Sequence, residues 1–221
     1  MPVSGSLTFL KQTFRAFRTT GAVAPSSPFL ARAMVRDLPP KGKAPAVCRV
    51  LEVGAGTGAF TKAIVRRLDG HGRLDLWEIN PHFCAHLRRL MQSHAHFKRM
   101  GARIELREGD IRALPAEPVY DCILSGLPLN NFTPAEVRGF MLHFKHLLKP
   151  GGTLTYFEYL AIRRLQTPFV GHENRKRLNG VAQVVRDLVL RHQVREEFVA
   201  LNVPPAVVRS LRFSPSALVR H

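Results

Sequence analysis

Residues 47–60, VCRVLEVGAGTGAF, constrain the fold of this chain more than any other segment. An apolar strand runs into a glycine-rich turn, and a helix follows. Glycines fall at Gly54, Gly56 and Gly58, with Ala55 between the first two and Glu52 just ahead. Small residues at such a turn let the backbone approach a nucleotide-like ligand. A second strand, LDLWEI, ends at Glu78 and Ile79. A carboxylate there accepts hydrogen bonds from both hydroxyls of a ribose. The turn reads GxGxG, not GxGxxG. With an acidic residue before it, that spacing fits S-adenosylmethionine (SAM) better than a dinucleotide, because SAM has no pyrophosphate for the helix N-terminus to hold. Strand RIELRE then runs into Gly109-Asp110-Ile111. Asp110 is expected to accept from the adenine amino group, and Ile111 to cover the ring. The expected cofactor is SAM, with S-adenosylhomocysteine as product. Its expected ligands are Glu52, Gly54, Ala55, Gly56, Gly58, Glu78, Ile79, Asp110 and Ile111.

From residue 46 the chain alternates strand and helix. Strands are expected at 47–53, 73–79, 103–107, 120–125 and 152–159, and helices at 58–69, 81–99 and 134–148, the last closed by Lys149-Pro150-Gly151-Gly152. Such alternation implies a parallel sheet covered by helices on both faces. A helix near 174–192 and strands near 194–202 and 206–213 follow. The strands flank Asn202-Val203-Pro204-Pro205, which fits a hairpin at the sheet edge. The expected class is therefore α/β: a Rossmann-like SAM-dependent methyltransferase fold, with a mostly parallel seven-stranded sheet, an antiparallel C-terminal edge hairpin and N-terminal helices.

Residues 1–38 read as two helices joined by a turn, 39–45 (PPKGKAP) as a linker, and 46–221 as the methyltransferase domain. In 4–19, Leu7, Leu10, Phe14 and Phe17 recur at helical spacing, with Lys11, Arg15 and Arg18 beside them. Ser26 or Ser27 is placed to cap the next helix, with Pro28 in its first turn. The stripe and its cations suit an anionic membrane surface.

The chain has 33 Lys and Arg against 16 Asp and Glu, a formal charge of +17, which points to an anionic partner, nucleic acid or membrane. Cys48, Cys84 and Cys122 are far apart and form no CxxC pair, and His82, His86, His94 and His96 read as a solvated basic face; no metal site is expected. No stretch reaches the roughly 20 apolar residues of a membrane span, and no secretory signal is evident, so membrane contact is expected to be peripheral.

In an open parallel sheet, ligands bind outside the carboxyl ends of the strands. Strand DCILS ends in SGLPLNNF (125–132), so Ser125, Gly126 and Leu127 should border the transferable methyl. Methyltransferases acting on nucleobase amines place an amide and an aromatic here; this chain has Gly126 and Leu129 instead, which counts against a nucleobase. The next strand ends TYFEYL. Alternation puts Tyr156 and Glu158 on one face and Tyr159 on the other. These three are the expected catalytic residues. The rings would hold a cationic amine by cation–π attraction, and Glu158 would take a proton or pair with the ammonium. A tyrosine or the substrate's own phosphate could equally take the proton. Arg163, Arg164, Arg175, Lys176 and Arg177 offer charge-assisted hydrogen bonds to a phosphate.

Taken together, TGAVAPSS (20–27), LEVGAGTGAFTKA (51–63), WEINPHFC (77–84), SGLPLNNF (125–132), KPGG (149–152), FEY (157–159) and NVPPA (202–206) resemble the bacterial phospholipid N-methyltransferases of the rRNA-dimethylase-like type. Ala55 departs from the proline frequent in that glycine turn, and Glu158 from a frequent threonine. The resemblance implies stepwise methylation of phosphatidylethanolamine to phosphatidylcholine. It also implies a peripheral enzyme on the inner face of the bacterial cytoplasmic membrane, docked through its N-terminal helix. Tyr159, Arg163, Arg164, Arg177 and Asn130 would then face the headgroup. Two other readings fit the charge: an RNA adenine-N6 methyltransferase, and a SAM-fold protein that only binds lipid or RNA.

Overall fold

Apolar runs form strands β1 (Arg49–Val53), β2 (Arg73–Glu78), β3 (Ile104–Glu108) and β4 (Tyr120–Ser125). Helix α2 (Ala59–Leu68) joins β1 to β2, and α3 (Pro81–Ser93) and α4 (Ala95–Met100) join β2 to β3, whereas β3 reaches β4 through a loop holding one 3-10 turn, Ile111–Ala113. The helical crossovers leave β1, β2 and β3 parallel. Helix α5 (Pro134–Leu147) leads into β5 (Leu148–Tyr159), and α6 (His172–His192) into β6 (Gln193–Val199) and β7 (Ala206–Arg212). The computed structural model describes residues 26–160 and 172–213. The amphipathic segment 4–19, with Leu7, Leu10, Lys11, Phe14, Arg15, Phe17 and Arg18, lies outside the described residues, as do Arg163 and Arg164.

The seven strands form one sheet in the order β3-β2-β1-β4-β5-β7-β6. Strands β3 through β5 are parallel, and β7 runs antiparallel to both β5 and β6. The chain leaves β1 in one direction and returns at β4 on its other side. That reversal opens a crevice beyond the carboxyl ends of the two strands.

Alternation along β1 feeds two cores. Leu51 and Val53 pack with Phe140, Phe144 and Val185 under α5 and α6. Val50 packs with Ile64, Leu30 and Met34 under α1 (Pro28–Met34) and α2. Leu30 and Met34 are fully buried, worth about 2 kcal/mol each. The Ser27 hydroxyl caps α1 by accepting from the Leu30 amide at 3.2 Å, with Pro28 in the first turn. The Ser27 amide donates to Asn202 Oδ1 at 3.0 Å, tying the helix to the β6–β7 connection.

Two boundaries differ most from expectation. The helix expected over 81–99 breaks at His94, whose extended backbone (ψ 129°) closes α3 and whose Nδ1 accepts from the His96 amide to start α4. The break turns Phe97 and Met100 into the core, which a continuous helix at that angle would not do. Strand β5 begins at Leu148, not at 152, so Lys149–Gly152 ends α5 and also opens the strand, with an irregular register between Tyr120 and Cys122 of β4.

A polar cluster holds α1's trailing end to the edge hairpin. Arg195 donates to Asp37 at 2.7 Å, and Thr155 donates to the same carboxylate at 3.3 Å. Ser210 adds a short hydrogen bond. Burial raises the Asp37 pKa, but Arg195, Ser210 and Thr155 more than offset it, leaving the carboxyl below its ordinary value. The resulting stability is present above the unfolded-state pKa and lost as pH falls through the folded one. Asp37→Asn is expected to cost about 2 kcal/mol at neutral pH, read as a lower urea midpoint, and to remove this share of the acid dependence.

Candidate active site

The glycine turn is built by its own backbone. Gly54, Gly56 and Gly58 have φ of 72°, 54° and 78°, values that side-chain-bearing residues rarely adopt. The turn is also crowded. A Cβ on Gly126 would meet the Gly54 carbonyl oxygen at 2.6 Å. The Gly126 amide donates to the Val53 carbonyl at 2.8 Å, so the loop after β4 rests directly on the turn. Any larger residue at 126, the expected amide of a base-methylating site included, would push the two apart.

Glu78 closes the far side of the turn. It is 1% exposed. Its carboxylate accepts from the Gly56 amide and from the Asn80 amide, each at 2.8 Å. Burial raises its pKa, and the amides of Asn80, Gly56 and Ile79 draw it part of the way back. Beside it lies a cavity walled by Trp77, Glu78, Ile79, Asp110, Ile111 and Phe140. Gly54 and Leu127 form its edge towards the turn. The Ile111 carbonyl contacts His143 Nε2 at 3.1 Å, so α5 fixes this wall. Asp110 caps the turn Ile111–Ala113 through the Arg112 amide and pairs with the Arg112 guanidinium. Burial raises its pKa, but Arg112 outweighs burial and holds it low. The walls and polar groups suit a flat, apolar ring carrying an amine at one edge and hydroxyls at the other.

Glu52 is fully buried. Neither of its oxygens, nor the neighbouring Thr61 hydroxyl, completes a hydrogen bond among the described residues. Burial pushes its pKa up to about 8; Thr61 draws it down, and Glu78 adds to the rise. Trp77 Nε1 is likewise buried without a partner among the described residues. Buried polar groups of this kind are normally satisfied. An unpaired carboxyl next to the glycine turn fits the cationic methionine end of SAM.

The three expected catalytic residues fall on two faces of the sheet. Tyr156, in register with Ser125, is 1% exposed, and its hydroxyl has no partner among the described residues. Burial raises its pKa. Glu158, expected to receive a proton, is bound at 3.1 Å by Arg209, a cation that opposes protonation. Tyr159 stands on the opposite face with its ring 5.0 Å from that of Phe157, which in turn meets Phe60 of α2. Burial raises the Tyr159 pKa, and Ser26 lowers it.

Arg177, expected at a substrate phosphate, instead holds the loop after β4. Its Nη1 donates to the carbonyls of Asn130 and Phe132, and its Nε to Asn174 Oδ1 at 3.0 Å. A guanidinium engaged on both edges has few donors left for a ligand. Trp77, the first residue of WEINPHFC, and Phe140, which carries no motif, also wall the cavity, and neither is among the site residues expected from the sequence.

The sheet order and the glycine turn, with its acidic neighbours, define a protein that binds an adenosyl cofactor for methyl transfer. A methyltransferase-domain family model matches residues 50–152. The chain belongs to the SAM-dependent methyltransferase family. It is 32% identical to an ornithine lipid N-methyltransferase of Singulisphaera acidiphila over 151 residues, 66% of this chain and 73% of that protein. It is 28% identical to the ubiquinone/menaquinone biosynthesis C-methyltransferase UbiE of Hahella chejuensis over 50% of this chain and 42% of that one. Among solved structures, an O-methyltransferase from Bacillus cereus in complex with SAH aligns with a TM-score of 0.59 at 14% identity, covering 93% of this chain and 91% of that one. P. horikoshii TYW2 in complex with MeSAdo aligns at 0.54 and 16%, covering 87% and 65%. The fold matches the α/β expectation, and the cofactor is SAM. Among the described residues, no helix is long and apolar enough to cross a membrane.

Proposed function

We propose that the protein methylates the amine of a membrane lipid, phosphatidylethanolamine and its mono- and dimethyl forms, yielding phosphatidylcholine. The observation that carries this is the likeness to an ornithine lipid N-methyltransferase over most of both chains. The loop after β4 supports it, because the close contact at Gly126 leaves no room for the amide that grips a nucleobase amine. In this reading, Glu78 holds the ribose of SAM, and Ile79, Trp77 and Ile111 enclose the adenine with Asp110 at its amino edge. Glu52 faces the cationic amino-acid end, across the backbone of Gly54, Ala55, Gly56 and Gly58. Ser125, Gly126 and Leu127 border the reacting centre.

SAM, when bound, supplies a methyl group on a positively charged sulfur. The chain's own work is alignment and exclusion of water. The amine lone pair forms the new N–CH3 bond as the S–CH3 bond breaks, and one proton leaves the nitrogen per transfer. Glu158 is neutralised by Arg209, and burial keeps the hydroxyls of Tyr156 and Tyr159 protonated. The proton therefore passes to the lipid phosphate or to solvent. In this reading the face of Tyr159 holds the ammonium that accumulates, and Tyr156, 1% exposed on the other face of the sheet, does not. The segment 4–19 docks the enzyme on an anionic bilayer, reversibly.

Radiolabelled SAM offered to vesicles containing phosphatidylethanolamine, to vesicles containing ornithine lipid and to total RNA tests the reading. Label is expected in phosphatidylethanolamine. Label in ornithine lipid alone would correct the acceptor, and label in RNA alone would overturn the lipid reading.

A further inference from the structure

Residues of helices α1, α2 and α3 line an open groove of about 690 Å³. Its walls carry Arg32, Lys41, Lys62, Arg66, Arg67 and His86, and no aspartate or glutamate. Its lining also includes the apolar Pro28, Ala31, Val35 and Ala63. One end reaches Thr57 in the glycine turn.

Two of the cations are accounted for by the fold. Arg67 donates to the carbonyl oxygens of Leu38 and Arg36, at 3.2 and 3.5 Å, and Lys41 lies 3.9 Å from Asp69. Among the described residues, Arg32, Lys62 and Arg66 pair with no carboxylate. Lys62 and Arg66 sit one turn apart on α2, a like-charge spacing that weakens a helix. Arg32 faces the same groove from α1. Nothing in the packing calls for three unneutralised cations around one concavity. An anion bound between them would offset their mutual repulsion.

We propose that this groove binds the headgroup phosphate of an anionic phospholipid, with Arg32, Lys62 and Arg66 as its cationic ligands. The apolar lining residues favour an amphiphile over a bare anion. The ligand is an anion rather than the methylated amine, and the proposal stands on the groove whatever the methyl acceptor is.

The test uses the full chain and the double variant Lys62→Glu/Arg66→Glu. Co-sedimentation with phosphatidylglycerol vesicles is compared with co-sedimentation with phosphatidylcholine vesicles. The variant should lose at least about tenfold in apparent affinity for phosphatidylglycerol while keeping the heat of SAM binding, which reports an intact fold. In the unmodified protein, phosphatidylglycerol vesicles should shield Lys62 from an amine-acylating reagent, read by mass spectrometry; this arm holds even if the variant misfolds. Undiminished vesicle binding by a folded variant overturns the proposal, as does absence of shielding. Shielding by inorganic phosphate but not by vesicles would reassign the groove to a soluble phosphate. Loss of RNA binding with vesicle binding intact would reassign it to nucleic acid.

Discussion

Glu52→Gln is expected to make the ligand-free protein more stable above neutral pH and, at the same time, a poorer binder of SAM. The Glu52 carboxyl is fully buried with neither oxygen hydrogen-bonded among the described residues, and its pKa rises from 4.5 to about 8. A group whose folded pKa is raised contributes stability that is fully present below the unfolded value and is lost as pH rises through the folded one. Between those two values, ionising Glu52 removes up to about 5 kcal/mol from the ligand-free state. Gln cannot ionise, so the variant should lack this decline. Urea unfolding at about pH 6 and about pH 9 measures it: the unmodified protein's midpoint should fall between the two, and the variant's should fall less, with Glu78's raised pKa still contributing. In the proposed reading SAM brings positive charge to the same place, where an ionised Glu52 is useful rather than costly. The variant should therefore bind SAM about tenfold more weakly, as read by calorimetry. A flat profile in the unmodified protein would mean that water or another group satisfies the carboxyl.

What the sequence disclosed, and what it hid, follows from the distance over which each signal acts. The glycine turn, the strand ends at Glu52 and Glu78, the Ser27 cap with Pro28 and the start of α5 are local patterns, readable within a few residues. At α5, Thr133 and Glu136 form a reciprocal cap. The split of Tyr156 from Tyr159 across the sheet follows from strand alternation alone. Contacts between distant segments were not readable. Asp37 and Arg195 are 158 positions apart, and neither has a neighbour that announces the other. Arg177 looks like any exposed cation until the carbonyls of Asn130 and Phe132 arrive from 45 and more residues away. Glu158 carried a plausible basic role only while Arg209 was out of sight. The break at His94 was hidden for another reason. No proline or glycine marks it, and the burial of Phe97 and Met100 decides it.

Glu78→Ala is expected to weaken SAM binding by about 10- to 100-fold and to lower stability as well, two losses that calorimetry and stability measurements separate. The first concerns the turn. Glu78 accepts from the Gly56 and Asn80 amides at 2.8 Å, and alanine leaves both donors without a partner in a nearly closed site. Each orphaned donor costs about 1–3 kcal/mol, visible as a lower urea midpoint in the ligand-free protein. The second is the proposed ribose contact, whose hydroxyls would lose a charged acceptor worth about 1.5–3 kcal/mol. Glu78→Gln divides the two. Its amide oxygen still accepts from one backbone donor, but its NH2 group faces the other, so the turn suffers less while recognition of the hydroxyls is compromised. SAM affinity should then fall for both variants, whereas stability should fall mainly for alanine. A variant that loses stability yet binds SAM as before would make Glu78 a brace of the glycine turn alone. The ribose would then have to find its acceptor elsewhere along the cavity wall, where Asp110, already engaged by Arg112, is the remaining acidic group.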